Sequence, residues 1–494
     1  MEELEAHLLG PRCGCAHTTL ASRNFLARAC SVWFFLLEGI IVGCYSASLS
    51  YLQDRLGLSD SELGFAVLFA SVGTVTSTFL VAHSLRRFGV RLTALFSSVA
   101  FCATLPFLGL CGSFTTLALA MFLFGVVWGM EDVCANSSAV QTEIVAGKAL
   151  IGSCHGSYSL AAAASSFIGG AILAKALSVV QTFVLFSTLC GCISVAASYG
   201  LYDLRQEQQI VLYNLMEESG DAEDSNPPDA DRKSRNSGEY RVSREPLQRY
   251  ALVLSDEERD SLAQPLLADP VGDLLTHACT SSSIVSAGDM PDVGNMGPGV
   301  TGDTDADTDT DKNSLFFLCC LGFAGEFGEA ALATWSIIYY QRVLRAHALT
   351  QAVGYTCFMV AMAVGRFLCD YLRRRFGRRS IVLVSGVLAL GGLALVLAVA
   401  ELPHALALTS VGLTITGLGL STLLPIVFSS AGHLTTDPGA GVATAAGAAY
   451  CAAIIASPCV GVISDACGLR LGMTLVAAVC GLITPIGFFI PQEK

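Results

Sequence analysis

Charge is scarce in this sequence. Of its 494 residues only 14% are Asp, Glu, Lys or Arg, whereas soluble proteins carry about 25%. Hydrophobic residues make up 53%, and the mean hydropathy is +0.59. This number of charged residues is too small to cover the surface of a soluble protein of this length. The composition argues against a soluble enzyme or a secreted domain and predicts a multi-pass membrane protein.

Several chemical motifs are also missing. The 19 cysteines form no Cys-x-x-Cys pair and no zinc-ligand spacing, so no metal site is expected. The sequence contains no Gly-x-x-x-x-Gly-Lys-Ser/Thr loop, which disfavours ATP-driven pumping. It also has no concentrated basic surface for nucleic acid. We therefore expect no cofactor, no nucleic-acid partner and no enzymatic activity.

The acidic residues are concentrated in one segment. Residues 203–313 contain 24 acidic and 9 basic side chains, a net charge of −15, whereas the remainder of the chain has a net charge of +2. The segment is poor in aromatic residues and rich in Asp, Ser, Gly and Pro. Such a composition cannot bury a core. We predict a disordered acidic loop whose candidate partners are cytoplasmic regulators.

The apolar runs predict twelve transmembrane helices, because about 20 apolar residues cross a bilayer. They cover 30–51, 62–85, 92–112, 115–140, 150–174, 179–202, 314–340, 349–371, 380–400, 405–430, 440–463 and 471–490. The predicted fold is an all-α membrane protein with two six-helix halves. Its predicted segments are a cytoplasmic tail (1–29), a first bundle (30–202), the acidic loop (203–313), a second bundle (314–490) and a cytoplasmic C-terminus (491–494).

The distribution of Lys and Arg predicts the orientation. With the N-terminus in the cytoplasm, the short inner segments hold twelve basic residues and the outer ones five. Both termini and the acidic loop are then cytoplasmic. Arg342 and Arg345 oppose this bias, because they follow span 7 on the outer side. The pattern does not distinguish the plasma membrane from an organelle membrane.

The two halves repeat one another. Span 2 has Gly64 near its start and Gly89 after its end, 25 residues apart; span 8 has Gly354 and Gly377, 23 residues apart. Internal repeats of this kind are typical of secondary transporters.

A loop signature resembles that of the major facilitator superfamily. It consists of Gly365-Arg366-x-x-x-Asp370 followed by Arg375-Phe376-Gly377-Arg378-Arg379. The resemblance implies a cytoplasmic latch in which Asp and Arg residues pair and hold one conformation closed. It assigns that latch to Gly365, Arg366, Asp370, Arg375, Gly377 and Arg379. The first-half copy departs from the pattern, since Arg86 stands where an acid is expected.

Within that superfamily the chain is most similar to the fucose-permease-like branch and its uncharacterised bacterial relatives. The similarity rests on five motifs taken together. They are Leu56-Gly57-Leu58-Ser59-Asp60-x-x-Leu63-Gly64, Gly129-x-x-Asp132-x-x-x-Asn136, His155-Gly156-x-Tyr158-Ser159-Leu160, Glu329 followed by Trp335-Ser336, and Gly417-Leu418-Gly419 with Pro425.

Acidic residues at membrane depth occur in spans 1, 4 and 7 only, and so do all three tryptophans. Ionisable groups in a membrane usually face a cavity, and the resemblance implies that helices 1, 4, 7 and 10 line one. We therefore place the solute and proton pathway at six residues. They are Glu38, Trp128, Asp132, Asn136, Glu329 and Trp335.

Span 4 is the centre of this prediction. Trp128, Asp132 and Asn136 are four residues apart and share one helix face. The resemblance assigns to Asp132 the role of the proton-coupling acid. The alternative is a structural acid bonded to Asn136 or to a neighbouring helix. Glu131 lies about 100° around the helix and is expected to contact an adjacent helix.

Alternative roles stay open for Glu38, for the pair Glu326 and Glu329, and for His155. Glu38 either joins the pathway or serves structure, since the resemblance places the second acid of the fucose permeases at Ser46. Of Glu326 and Glu329, the resemblance favours Glu329 as the cavity residue. His155 is a candidate gate, because histidine titrates near physiological pH, or else a capping or packing residue.

These features favour a secondary active transporter that moves a small polar solute by alternating access, with proton coupling. Aromatic rings that stack on sugar faces favour a sugar-like solute. Its expected partners are the solute, protons and the lipid bilayer. The alternative is a non-transporting membrane sensor or interaction protein built on the same fold. A membrane enzyme is the weakest reading.

Overall fold

A computed structural model describes residues 20–146, 150–175, 177–201, 304–434 and 438–490. Within these ranges the chain is helical and has no strand, and twelve helices are long and apolar enough to cross a membrane. The predicted fold class is therefore confirmed. The far N-terminus, most of the acidic loop and residues 491–494 lie outside the described residues.

The twelve spans are named α1 to α12 in chain order. Those of the first half are α1 Asn24–Leu56, α2 Asp60–Leu85, α3 Arg87–Leu110, α4 Phe114–Glu143, α5 Ile151–Lys175 and α6 Val179–Ser198. Those of the second half are α7 Asn313–Arg342, α8 Ala348–Phe376, α9 Arg378–Ala398, α10 Ala405–Ala431, α11 Gly441–Cys467 and α12 Leu469–Gly487.

Several helices extend beyond their predicted bounds, among them the seventh. The helix that contains α7 begins at Thr304, ten residues into the segment predicted as loop. The apolar span supplies the nucleus, and each further residue then adds a hydrogen bond without a new nucleation cost. Composition alone does not show such an extension, because Asp-rich sequence has little helical preference of its own.

The repeat of the two halves is visible in the backbone. Gly89 joins α2 to α3 with φ 76°, and Gly377 joins α8 to α9 with φ 75°. A positive φ strains residues that carry a Cβ but not glycine. The equivalence of the two glycines, inferred from spacing, is thus matched by an equal turn geometry.

Each half packs α1 or its repeat α7 against the fifth helix of the same half, α5 or α11. Across the halves, α2 packs on α11 and α5 packs on α8. These contacts are close because small residues line them. A Cβ on Gly64 would lie 2.7 Å from the carbonyl oxygen of Ser457. The two halves thus meet along two helix pairs. In each pair, the second helix of one half packs against the fifth helix of the other half.

Large apolar side chains also point outward, away from both bundles. Phe79 is 79% exposed, Phe96 65% and Leu119 63%. A soluble protein rarely leaves so many large apolar groups in contact with water. Together with the twelve spans, this surface is that of an integral multi-pass membrane protein.

Candidate functional site

One contact joins α1 to α4, and a second contact within α4 orders its polar face. The Trp128 indole N–H donates to Glu38 Oε1 at 2.5 Å, and Glu38 is 6% exposed. One turn further, the Asn136 amide donates to Asp132 Oδ1 and to the Asp132 main-chain oxygen, both at 2.9 Å. Trp128, Asp132 and Asn136 therefore lie along one face of α4, as their four-residue spacing predicts.

A buried ion pair joins α7 to α8. Arg366 Nη2 donates to the two carboxylate oxygens of Glu329 at 2.9 and 3.0 Å, and Arg366 Nη1 donates to Ser159 Oγ of α5 at 2.5 Å. The side chain of Arg366 is 9% exposed and that of Glu329 17%. The pair therefore lies where three helices of both halves meet.

Two tyrosines, one on α5 and one on α11, lie within electrostatic range of the acidic residues of these contacts. Tyr158 of α5 lies within electrostatic range of Glu38, Glu329 and Arg366. Tyr450 of α11 is similarly close to Glu38, Asp132 and Glu326. We call this set the central cluster. It consists of Glu38, Trp128, Asp132, Asn136, Tyr158, Glu326, Glu329, Arg366 and Tyr450.

Three other residues from the sequence analysis do not belong to the central cluster. They are Glu131, Trp335 and His155. Glu131 accepts a 2.7 Å hydrogen bond from Ser97 of α3, so it contacts an adjacent helix. Trp335 is fully buried, and within the described residues its indole N–H has no partner. His155 packs edge-on against Phe35 with ring centroids 5.1 Å apart. This contact fits the packing role, and the gating role stays a prediction.

The six residues assigned to the latch do not act as one group in this conformation. Asp370 is exposed, and in the described part of the chain it makes no hydrogen bond or ion pair. Arg366 points into the bundle toward Glu329 instead of toward the loop. Gly365 packs against Ser421 of α10, and Gly377 forms the turn. Arg375 and Arg379 lie over the rings of Phe376 and Phe488.

The opposite face carries a latch that the sequence reasoning missed. The Asp60 carboxylate, at the start of α2, accepts from Gln53 Nε2 at 2.7 Å, from Arg342 of α7 and from Ser464 of α11. The Asp465 carboxylate accepts from the Asp60 and Ser61 main-chain N–H groups at 2.9 and 2.8 Å. We call this network the Asp60 latch and its side of the molecule the Asp60 face.

Helix physics explains why this contact forms. The first amides of a helix lack partners within the helix, and carboxylates are favoured there by the helix dipole. Ser59 and Glu62 satisfy part of the start of α2 with a capping box. Asp465, from the other half, satisfies the two amides between them, those of Asp60 and Ser61. The α2 N-terminus is therefore complete only when the halves meet at this face.

The sequence did hold two signals for this latch. Arg342 opposed the orientation bias, and a charge on the unfavoured side of a span calls for a partner. The Ser59-x-x-Glu62 spacing also marks a helix start. The partners Ser464 and Asp465 lie about 400 residues away in sequence, and no local pattern links them to Asp60.

A protein family and two bacterial transporters are similar to this chain in sequence. The family model of the Major Facilitator Superfamily matches residues 315–494. An uncharacterized transporter of Sinorhizobium fredii, y4wD, is 23% identical over 456 residues, which cover 92% of this chain and 96% of the relative. An uncharacterized MFS-type transporter of Yersinia pestis is 21% identical over 405 residues, covering 82% and 80% of the two chains.

The chain is therefore similar to transporters of the major facilitator superfamily, through its second half in the family model and over most of its length in the two relatives.

The fold of this chain is shared with a solved structure. A crystal structure of the nucleoside transporter NupG matches with a TM-score of 0.60 at 8% identity, covering 94% of this chain and 99% of NupG. No group of three or more metal-ligating side chains occurs among the described residues. The chemistry that the central cluster offers is proton binding, hydrogen bonding and one fixed positive charge.

Proposed function

We propose that this protein is a secondary active transporter that moves a small polar solute by alternating access, with coupling to protons. Membrane transport is the function that the similarity to major facilitator transporters supports. The central cluster carries the rest of the proposal. It gathers carboxylates from α1, α4 and α7 at membrane depth, where isolated charges are costly.

Alternating access needs two interfaces that close in turn. At the Asp60 face the halves are joined by the Asp60 latch. At the opposite face the expected latch residue Asp370 is unpaired in the described part of the chain. We propose that the structure is the state closed at the Asp60 face, which the Lys and Arg distribution places on the outer side. In the opposite state the Asp60 latch separates and the Asp370 loop engages.

Asp132 is the proposed proton carrier. It is half-buried in α4, and Asn136 donates only one side-chain hydrogen bond to its carboxylate. Glu38, in contrast, is bonded to Trp128 across the helix pair. Because, among the described residues, the carboxylate of Asp132 is held only from within its own helix, it is freer to exchange a proton as the cavity changes its exposure. The bond to Trp128 favours a part for Glu38 in the same site, coupling α1 to α4.

The solute is proposed to be sugar-like. Trp128 lies beside Asp132 on the polar face of α4, and Phe101 and Phe124 pack around its ring with centroids 6.4 and 6.0 Å away. These rings hold the indole in place, so that one edge stays on Glu38. A rigid aromatic surface next to carboxylates suits a solute with both apolar faces and hydroxyl groups.

The experiment uses purified protein in liposomes. Labelled sugars, amino acids and carboxylates are screened for uptake with and without a pH gradient. Asp132→Asn is then compared with wild type for solute exchange and for gradient-driven accumulation. Because Asn resembles the protonated acid, exchange should persist while accumulation disappears.

Glu131→Gln is the matched control. It removes the neighbouring acid of the same helix, which faces Ser97 rather than the central cluster. Coupling should survive in this variant. Wild-type accumulation in Asp132→Asn would overturn the assignment of the proton to Asp132. No uptake of any solute by wild type would favour the non-transporting sensor.

A further inference from the structure

Arg366 is an exception to the charge pattern of the membrane interior. In the described spans the other Lys and Arg residues lie near helix ends, whereas Arg366 precedes the end of α8 by ten residues, or about 15 Å of helix. Five acids lie at comparable depth. They are Glu38, Glu131, Asp132, Glu326 and Glu329.

The partners of Arg366 balance its charge only while Glu329 is ionised. Both oxygens of Glu329 accept from Nη2, and the neutral Ser159 hydroxyl accepts from Nη1. A guanidinium has five N–H donors. Neither Nε–H nor the second Nη1 hydrogen has a partner among the described residues. The group thus keeps donors free while its charge is neutralised by one carboxylate.

Protonation of Glu329 changes this balance. The guanidinium cannot lose its own proton, so it would become an uncompensated charge at membrane depth. That state is costly unless another anion replaces Glu329. Guanidinium binds carboxylates in a planar, two-point geometry. A proton on Glu329 and a carboxylate on Arg366 together restore neutrality.

We infer that the transported solute carries one carboxylate, which binds Arg366 in exchange for Glu329 when Glu329 takes up the proton that Asp132 carries. This inference rests on the proposed transport function and specifies the class of its solute as a small organic monoanion. A sugar acid combines it with the aromatic surface of Trp128. Because Ser159 belongs to the first half and Arg366 to the second, the bound carboxylate lies at the interface that alternating access opens and closes.

The test compares solutes that differ only in the acidic group. Uptake of labelled glucuronate against glucose, and of lactate against glycerol, is measured in proteoliposomes, and binding to the same probes is measured in detergent from pH 5 to pH 8. In wild type the acid of at least one pair should be taken up and its neutral partner not. Because binding takes up a proton, its affinity should fall at least tenfold as the pH rises.

Two variants separate the roles. Glu329→Gln mimics the protonated acid, so it should bind the acidic probe with the same affinity at pH 5 and at pH 8. Arg366→Gln leaves Glu329 unpaired and is apt to misfold, so the double variant Glu329→Gln/Arg366→Gln is used as well. That variant is neutral and should lose acid binding. Arg470→Gln, an exposed arginine on the Asp60 face, is the control and should behave as wild type.

The outcomes distinguish this inference from the transport proposal. Uptake of neutral probes without any acid would overturn the carboxylate site and leave transport standing. Acid binding that survives in the double variant would also overturn it. If neither acids nor neutral probes are taken up, both the inference and the transport proposal fail.

Discussion

Asp465→Asn tests whether the Asp60 latch holds the halves together. The variant keeps the shape of the side chain but removes its charge. Wild-type Asp465 accepts two main-chain hydrogen bonds from the start of α2, at 2.9 and 2.8 Å. Hydrogen bonds to charged groups contribute about 1.5–3 kcal/mol each. Because Asp465 is exposed to solvent and Asn retains one acceptor oxygen, we expect a loss of only about 1.4 kcal/mol, or tenfold in the opening equilibrium.

Hydrogen exchange reports that equilibrium directly. The amides of Asp60 and Ser61 are the donors themselves, so exchange of a peptide covering 59–65 rises with the open population. In lipid nanodiscs, Asp465→Asn should speed this exchange about tenfold. Glu401→Gln is the control, since Glu401 pairs with Arg470 at the same face but within one half. Equal exchange in wild type and Asp465→Asn would refute the latch, and so would equal acceleration in the control.

Three further predictions concern other parts of the molecule. Gly461→Val should prevent closure at the Asp60 face, because a Cβ there meets the Asp60 carbonyl. The melting temperature of the variant should therefore fall, and an unchanged melting temperature would contradict this prediction. Asp370→Asn should leave this closed state unchanged but disfavour the opposite one, which accessibility labelling of cavity cysteines would show; unchanged labelling would leave Asp370 a surface residue. Deletion of residues 220–305 should preserve folding and transport, because that composition cannot form a core. A deleted protein that reaches the membrane but transports nothing would show that the loop is required.

Much of the fold was predictable because a bilayer imposes strong rules on sequence. Each span needs about 20 apolar residues, and the turn glycines Gly89 and Gly377 repeat at nearly equal spacing. The polar face of α4 followed from the same helical arithmetic. Trp128, Asp132 and Asn136 are four residues apart, and that spacing fixes which side chains meet.

The rest depended on contacts between distant helices. Arg366 belongs to a loop signature, yet its side chain points inward because Glu329 of α7 and Ser159 of α5 meet it there. Sequence spacing within α8 says nothing about those partners. The Asp60 latch likewise joins residues from opposite halves. Charges that look misplaced on a single helix, such as Arg342, are the signal that such partners exist.

Proton movement driven by the solute tests the central claim most directly. Wild-type protein is reconstituted in liposomes that contain a pH-sensitive dye, with no gradient at the start, and a solute that gave uptake in the screen is added outside. Coupled entry of solute and proton predicts that the vesicle interior acidifies when solute is added, and that Asp132→Asn abolishes this signal while solute exchange continues. Solute entry without any acidification in wild type would contradict proton coupling.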